Sequence, residues 1–211
     1  MIEQKKEFYS LEEFLENSDY DITHLSLLLN QCSIRNKEIY MLQSHLKDFT
    51  KIQDFTLNLK NQKITDNEMK SLFNGLPNFQ ELISFKLNLK NYQMLSQGAN
   101  SLDKYLKKCL KLENLILNLN NSKISKNGLY DIAQAIQKIQ KLKTLTLKLK
   151  NNRIDDKGAS NISICLSNCT EIINLKLNLS QNIIEDEGIY NIGIGEGYLL
   201  KNKLVSWFFR S

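Results

Sequence analysis

The sequence predicts an α/β solenoid, a right-handed α/β superhelix with one parallel sheet on its concave side and helices on its convex side. Apolar triplets in strict alternation recur every thirty residues from Leu25 to Phe209, which is the pattern of a strand with one buried face. Between them apolar residues recur at steps of four and three, the pattern of one helical face. A chain of 211 residues with 42% hydrophobic and 24% charged residues has ordinary globular composition and is long enough to bury a continuous core.

Taken in order, the first element is a short helix. Ser10-Leu11-Glu12-Glu13 is a capping-box pattern, and Phe8, Leu11, Phe14 and Leu15 supply an apolar face. Residues 1–21 are therefore assigned as an N-terminal capping helix, because an uncapped terminal repeat would leave its apolar flank in water. Six repeats of thirty residues follow over 22–201. Their strands begin at Leu25, Phe55, Phe85, Leu115, Leu145 and Leu175, each followed by a leucine two and four residues later. An apolar column comes next at Ile34, Ile64, Met94, Ile124, Ile154 and Ile184. Gly98, Gly128, Gly158 and Gly188 form a column expected to precede the helices. The helical columns start at Leu42, Leu46 and Phe49 and repeat on the same period. In repeat six, Gly193-Ile194-Gly195-Glu196-Gly197 places three glycines in five residues, at about 1 kcal/mol each against alanine, so a weakened helix is expected. Residues 202–211 return to register with Val205, Trp207 and Phe209, as a partial seventh repeat or a C-terminal cap.

This pattern resembles the leucine-rich repeat family, within it the ribonuclease-inhibitor-like class with a full helix on the convex side. The resemblance runs from about Ile22 to Phe209 and rests on many columns. The Asn/Lys-rich composition is most similar to repeat proteins of ciliates and other protists. The family pattern Leu-x-x-Leu-x-Leu-x-x-Asn-x-Leu is departed from. Leu142 to Ile154 carries two extra residues, which predicts a strand longer than the family norm. The resemblance implies an asparagine that bonds strand-exit backbone. Asn152 and Asn182, in a column with Cys32, Gln62, Tyr92 and Ser122, and the neighbouring Asn61, Asn91, Asn121 and Asn151 are both candidates for it.

Outward positions of the six strands carry six lysines and no acid among eighteen residues. The candidate binding residues there are Lys60, Lys86, Asn88, Lys90, Asn118, Lys148, Lys150, Lys176 and Asn178. They make a basic, hydrogen-bonding trough suited to a protein with an acidic surface. Asn58, Asn88, Asn118 and Asn178 form a ladder broken by Lys148. Nucleic acid is disfavoured: arginine is confined to Arg35, Arg153 and Arg210, and no aromatic residue interleaves the lysines for base stacking. Asp66, Asp155, Asp156, Glu185, Asp186 and Glu187 are expected to start helices, where carboxylates suit the positive end.

Enzymatic chemistry, metals and cofactors are not expected. His24, Asp54 and Ser84 share a column on adjacent strands and His24 is placed to pair with Asp54, but the aspartate is central, whereas a triad needs histidine between its partners. His45 is expected as a surface residue without partners. Cys165 and Cys169 lie one helical turn apart with no histidine nearby, which favours buried reduced thiols. The Gly193–Gly197 run lacks the lysine and the strand–loop–helix context of a phosphate loop. The start, Met1 to Glu7, has mixed charge and no secretory apolar stretch, no window approaches a membrane span, and Ile2 excludes myristoylation, so a cytoplasmic location is the default. The leading expectation is an intracellular protein-binding scaffold that uses its concave strand face. A GTPase-activating regulator, a role the resembling class includes, and the repeat arm of a larger multidomain protein are the alternatives.

Overall fold

The computed structural model describes residues 4–93, 96–124, 126–199 and 204–208. Eight strands form one sheet in chain order, every neighbouring pair parallel. They are β1 (Lys5–Phe8), β2 (His24–Leu28), β3 (Asp54–Asn58), β4 (Ser84–Asn88), β5 (Asn114–Asn118), β6 (Thr144–Lys148), β7 (Asn174–Asn178) and β8 (Leu204–Phe208). One helix follows each of the first seven: α1 (Leu11–Glu16), α2 (Asn36–Leu46), α3 (Asp66–Gly75), α4 (Ser96–Leu106), α5 (Lys126–Gln137), α6 (Asp156–Ser167) and α7 (Asp186–Leu199).

Register from β2 to β8 keeps the thirty-residue step, pairing Leu25 with Phe55, then Phe85, Leu115, Leu145, Leu175 and Val205. The alternation works as expected. Every apolar residue of the first six strand triplets is buried, and the residues between them remain partly or fully exposed. The helical columns close the core from the other side, with Leu42, Leu72, Leu102, Ile132, Ile162 and Ile192 each at most 2% exposed. Strands repeat about 4.8 Å apart while packed helices need about 8–10 Å, so the sheet side is the short, concave one.

Strand length is a matter of where pairing stops. The regular strands span five residues, yet Leu59, Leu89, Leu119 and Leu149 still donate N–H to the next strand, as do Asn61, Asn91, Asn121 and Asn151 two residues on. Pairing ends at that asparagine because its φ is positive, between 56° and 65°. Asparagine tolerates the left-handed region better than other residues with a side chain. The two extra residues in each repeat thus extend the pairing by one in–out step.

Several expectations are corrected. The N-terminal cap is a strand as well as a helix: β1 pairs with β2, with Lys5 opposite His24 and Glu7 opposite Ser26. Phe8 therefore packs from a strand, with its ring 5.2 Å from Phe14. Ser10 Oγ accepts from Glu13 N, which is the N-cap bond, while Glu13 Oε2 takes Tyr9 N in place of the Ser10 N–H that a full capping box would use. His45 is half-buried against Phe14, Tyr20 and Phe49, its Nε2 lying 3.0 Å from Asn17 O, which ties the cap to α2. Helix α7 runs beside α6 and continues through the glycine cluster to Leu199. Val205 and Trp207 lie in β8, in register with β7; Met94 and Phe209 lie outside the described residues.

The glycine column also sits differently. Gly98, Gly158 and Gly188 are the third residues of α4, α6 and α7; the preceding helix start presses close on Gly98 and Gly188, and Ile154 of its own coil on Gly158. A Cβ on Gly188 would lie 2.6 Å from Ile184 Cγ2 and 2.9 Å from Asp156 Cα. Gly188→Ala is expected to lower stability by about 1–3 kcal/mol in a thermal melt, although alanine is the better helix former. A raised melting temperature would mean that the Asp156 backbone yields.

Candidate functional site

The outer face of the sheet is set by the same alternation as the core. With leucines at odd positions turned inward, residues 26, 28 and 30 and their equivalents thirty apart must turn outward. A shallow depression of about 190 Å³ crosses this face from β2 to β6, and its outward side chains include Leu28, Asn58, Lys86, Asn88, Ile116 and Lys148. Asn88 and Asn118, paired in register, lie in it together with Lys86 and Lys148. Lys176 and Asn178 stand on the next strand, while Lys60, Lys90 and Lys150 follow just beyond the regular strand ends. Of the candidate lysines, Lys148 and Lys176 are exposed, while Lys60, Lys86, Lys90 and Lys150 are half-buried.

The face is less uniformly basic than its eighteen interleaved positions suggest. Asp54, one step earlier on β3, also points outward, and its Oδ2 lies 3.1 Å from Lys86 Nζ. Asp54 is thereby engaged by lysine, and His24, expected to pair with it, instead places Nδ1 2.9 Å from Thr23 Oγ1. Strand β1, absent from the sequence reading, adds Lys5 and Glu7, which pair with each other at 3.3 Å.

The asparagines on the face are already half used. Asn58, Asn88, Asn118 and Asn178 each accept, through the side-chain oxygen, the N–H two residues ahead at 3.0–3.3 Å. This is an Asx turn at the strand exit. Where Lys148 interrupts the column, Lys150 N donates instead to Asn120 Oδ1 of the preceding repeat at 2.9 Å. With their oxygens bound to backbone, these amides have mainly their N–H₂ groups left for a partner. The surface is therefore rich in donors, ammonium and amide alike, and suits a partner rich in acceptors.

Both candidate strand-exit columns turn out to act, in different ways. Asn152 Nδ2 donates to Leu119 O and Leu149 O at 2.8 Å, and its Oδ1 accepts from Ser122 N at 2.9 Å and Ile124 N at 3.4 Å. Asn182 does the same one repeat later, and Gln62 spans Leu29 O and Ile34 N. Among the described residues Ser122 Oγ donates to Leu89 O on the carbonyl side, while Tyr92 reaches past it to Asp66. The neighbouring column makes an exposed ladder in which Asn91, Asn121 and Asn151 each donate to the amide oxygen thirty residues earlier.

On the helix side the loop carboxylates act as expected, and they also link repeats. Asp155 Oδ1 accepts from Gly158 N at 2.9 Å, capping its own helix. Asp66 accepts from Gln97 N and Gly98 N at the start of the next one. A larger groove of about 600 Å³ straddles α4, but Lys70, Lys104, Tyr130 and Asp131 give it mixed charge. Cys32, Cys109, Cys165 and Cys169 are thiols outside any disulfide. Burial pushes the Cys109 thiol up to about 12 and raises Cys165 as well, which keeps both protonated and unreactive. Among the described residues no group of three or more His, Cys, Asp or Glu side chains is placed to hold a metal, and no helix is long and apolar enough to cross a membrane.

No protein-family model and no curated protein matches this chain. Among solved structures it is similar to a structural-genomics protein from Bacteroides fragilis, at 10% identity and a TM-score of 0.32, over 95% of this chain and 69% of that one.

Proposed function

We propose that this chain is a protein-binding scaffold of the leucine-rich-repeat type, whose concave sheet face holds an acidic segment of a protein partner. The observation that carries this reading is the donor-rich face: lysines set among asparagines whose oxygens are bound to backbone. Carboxylates and main-chain carbonyls are the groups that answer such a surface. Repeat stacking supports it too, since a solenoid presents an extended face larger than a compact domain of equal length can offer. Binding is proposed at Lys60, Lys86, Asn88, Lys90, Asn118, Lys148, Lys150, Lys176 and Asn178, within a cytoplasmic setting.

A photo-cross-linking residue placed at Asn118 is expected to capture the partner in cells, while one at Tyr130, exposed on α5, is not. Changing Lys90, Lys148, Lys150 and Lys176 together to glutamate should reduce capture at least tenfold, as charge reversal across an interface does (about 1.4 kcal/mol per tenfold). Capture through Tyr130, or capture untouched by the reversal, would move the binding surface off the sheet.

A further inference from the structure

Register divides the outer face into two electrically different halves. On β1 to β3 and the residues just after them, Lys5 pairs with Glu7, Asp54 takes Lys86 from the next strand, and Lys60 is the one remaining lysine. From β4 to β7 the outward side chains include Lys86, Lys90, Lys148, Lys150 and Lys176 and no acid. Of these, Lys86 reaches back to Asp54, so unmatched positive charge collects further along the stack. The apolar outward residues of the depression, Leu28 on β2 and Ile116 on β5, fall one in each half. Ile116 is thus the apolar seat beside the free lysines.

We infer that the binding face is polarised along the stack: an extended acidic segment lies across β5 to β7, with an apolar side chain over Ile116 and carboxylates over Lys148 and Lys176. This rests on the proposed use of the sheet face. The register fixes the spacing. Ile116 pairs with Thr146 and Thr146 with Lys176, two strand steps in one row. Two steps are about 9.6 Å, which an extended chain at about 3.3 Å per residue crosses in about three residues. The segment therefore carries its apolar residue about three positions from its acids. Asn118 Nδ2, two residues on from Ile116 along β5 and opposite Lys148, is a donor beside the segment's main chain, since its oxygen is held by Asn120 N.

The test uses fluorescein-labelled ten-residue peptides at low ionic strength, read by anisotropy with the full chain. Each has one leucine separated by two serines from three glutamates, in either order; matched peptides replace the leucine with serine. In the better order, the leucine peptide should bind about fivefold tighter than its serine match, the gain from burying part of one apolar side chain. Ile116→Ser should erase that advantage. Lys148→Glu with Lys176→Glu should weaken binding about tenfold or more, whereas Lys60→Glu should change it less than about twofold. A Lys60→Glu loss equal to that of the double variant, or no leucine advantage, overturns the polarity and leaves the sheet-face reading standing. Binding indifferent to all these variants, or none at low salt, removes both.

Discussion

Asn152→Leu is expected to be among the most damaging single substitutions on this chain, lowering stability by about 3–6 kcal/mol. Leucine keeps the branched shape and the number of side-chain heavy atoms, so the loss is chiefly of hydrogen bonds. Asn152 is 3% exposed and joins Leu119 O and Leu149 O to Ser122 N and Ile124 N, which belong to two successive coils. Removing the amide strands Leu119 O, Ser122 N and Ile124 N where water cannot reach them, at about 1–3 kcal/mol for each group left unsatisfied, while Leu149 O keeps the Asn182 amide. Urea denaturation measures the total, and hydrogen exchange locates it, because the Ser122 and Ile124 amides should lose protection first. Asn151→Gly is the companion: it keeps the left-handed backbone and gives up an exposed amide, so it should cost less than about 1 kcal/mol. Equal losses from the two variants would show that the buried column is not the one holding the coils together.

Phe85→Ala should cost about 3–5 kcal/mol, the usual range for emptying a fully buried aromatic site. The ring is 0% exposed, stacks on Phe55 at 5.7 Å and 13°, and meets Tyr105 edge-on at 5.6 Å. The coil of β3 and the coil of β4 and α4 are thereby sealed together through one side chain. Because each repeat touches only its neighbours, the damage should concentrate where β4 adjoins β3 and β5 and spare the far end. A lowered urea midpoint with a shallower slope would record such a loss of cooperativity. A loss under about 1.5 kcal/mol would mean that the neighbouring rings collapse into the space, below the range seen when a cavity persists.

How much of this was legible beforehand follows from which residues repeat. The Leu25-type columns and the Leu42-type helical columns recur every thirty residues, and the structure places those of the first six strands in one core and the strands in one ribbon. Strand β1 was not legible because Lys5–Phe8 carries one core-facing apolar residue and no triplet, so no period extends to it. Its edge position, paired on one side with β2, makes a fragmentary pattern sufficient. His45 misled for a related reason: its partners Phe14 and Tyr20 belong to the cap, outside the repeat. The glycines were placed at the right period but on the wrong side of the helix start, since Gly98 and Gly188 are crowded by the preceding coil's Asp66 and Asp156, which no local turn pattern shows.

Of the candidate face, membership was readable and electrostatics was not. Alternation alone names the outward residues, because a side chain on a strand has two directions and the leucines take one of them. The same arithmetic gives the solenoid, since equal apolar units can bury their flanks only against copies of themselves. Which hydrogen-bonding groups stay free is decided elsewhere. Lys86 meets Asp54, Asn118 turns its oxygen to Asn120 N, and Asn152 reaches across to Leu119. The interstrand pairings among these join residues about thirty apart in the chain, brought within hydrogen-bond reach only when coils stack at about 4.8 Å. Burying a leucine depends on its column, whereas satisfying an amide depends on the particular atoms beside it. That difference between an undirected and a directed force is why only the folded chain settles what the face offers.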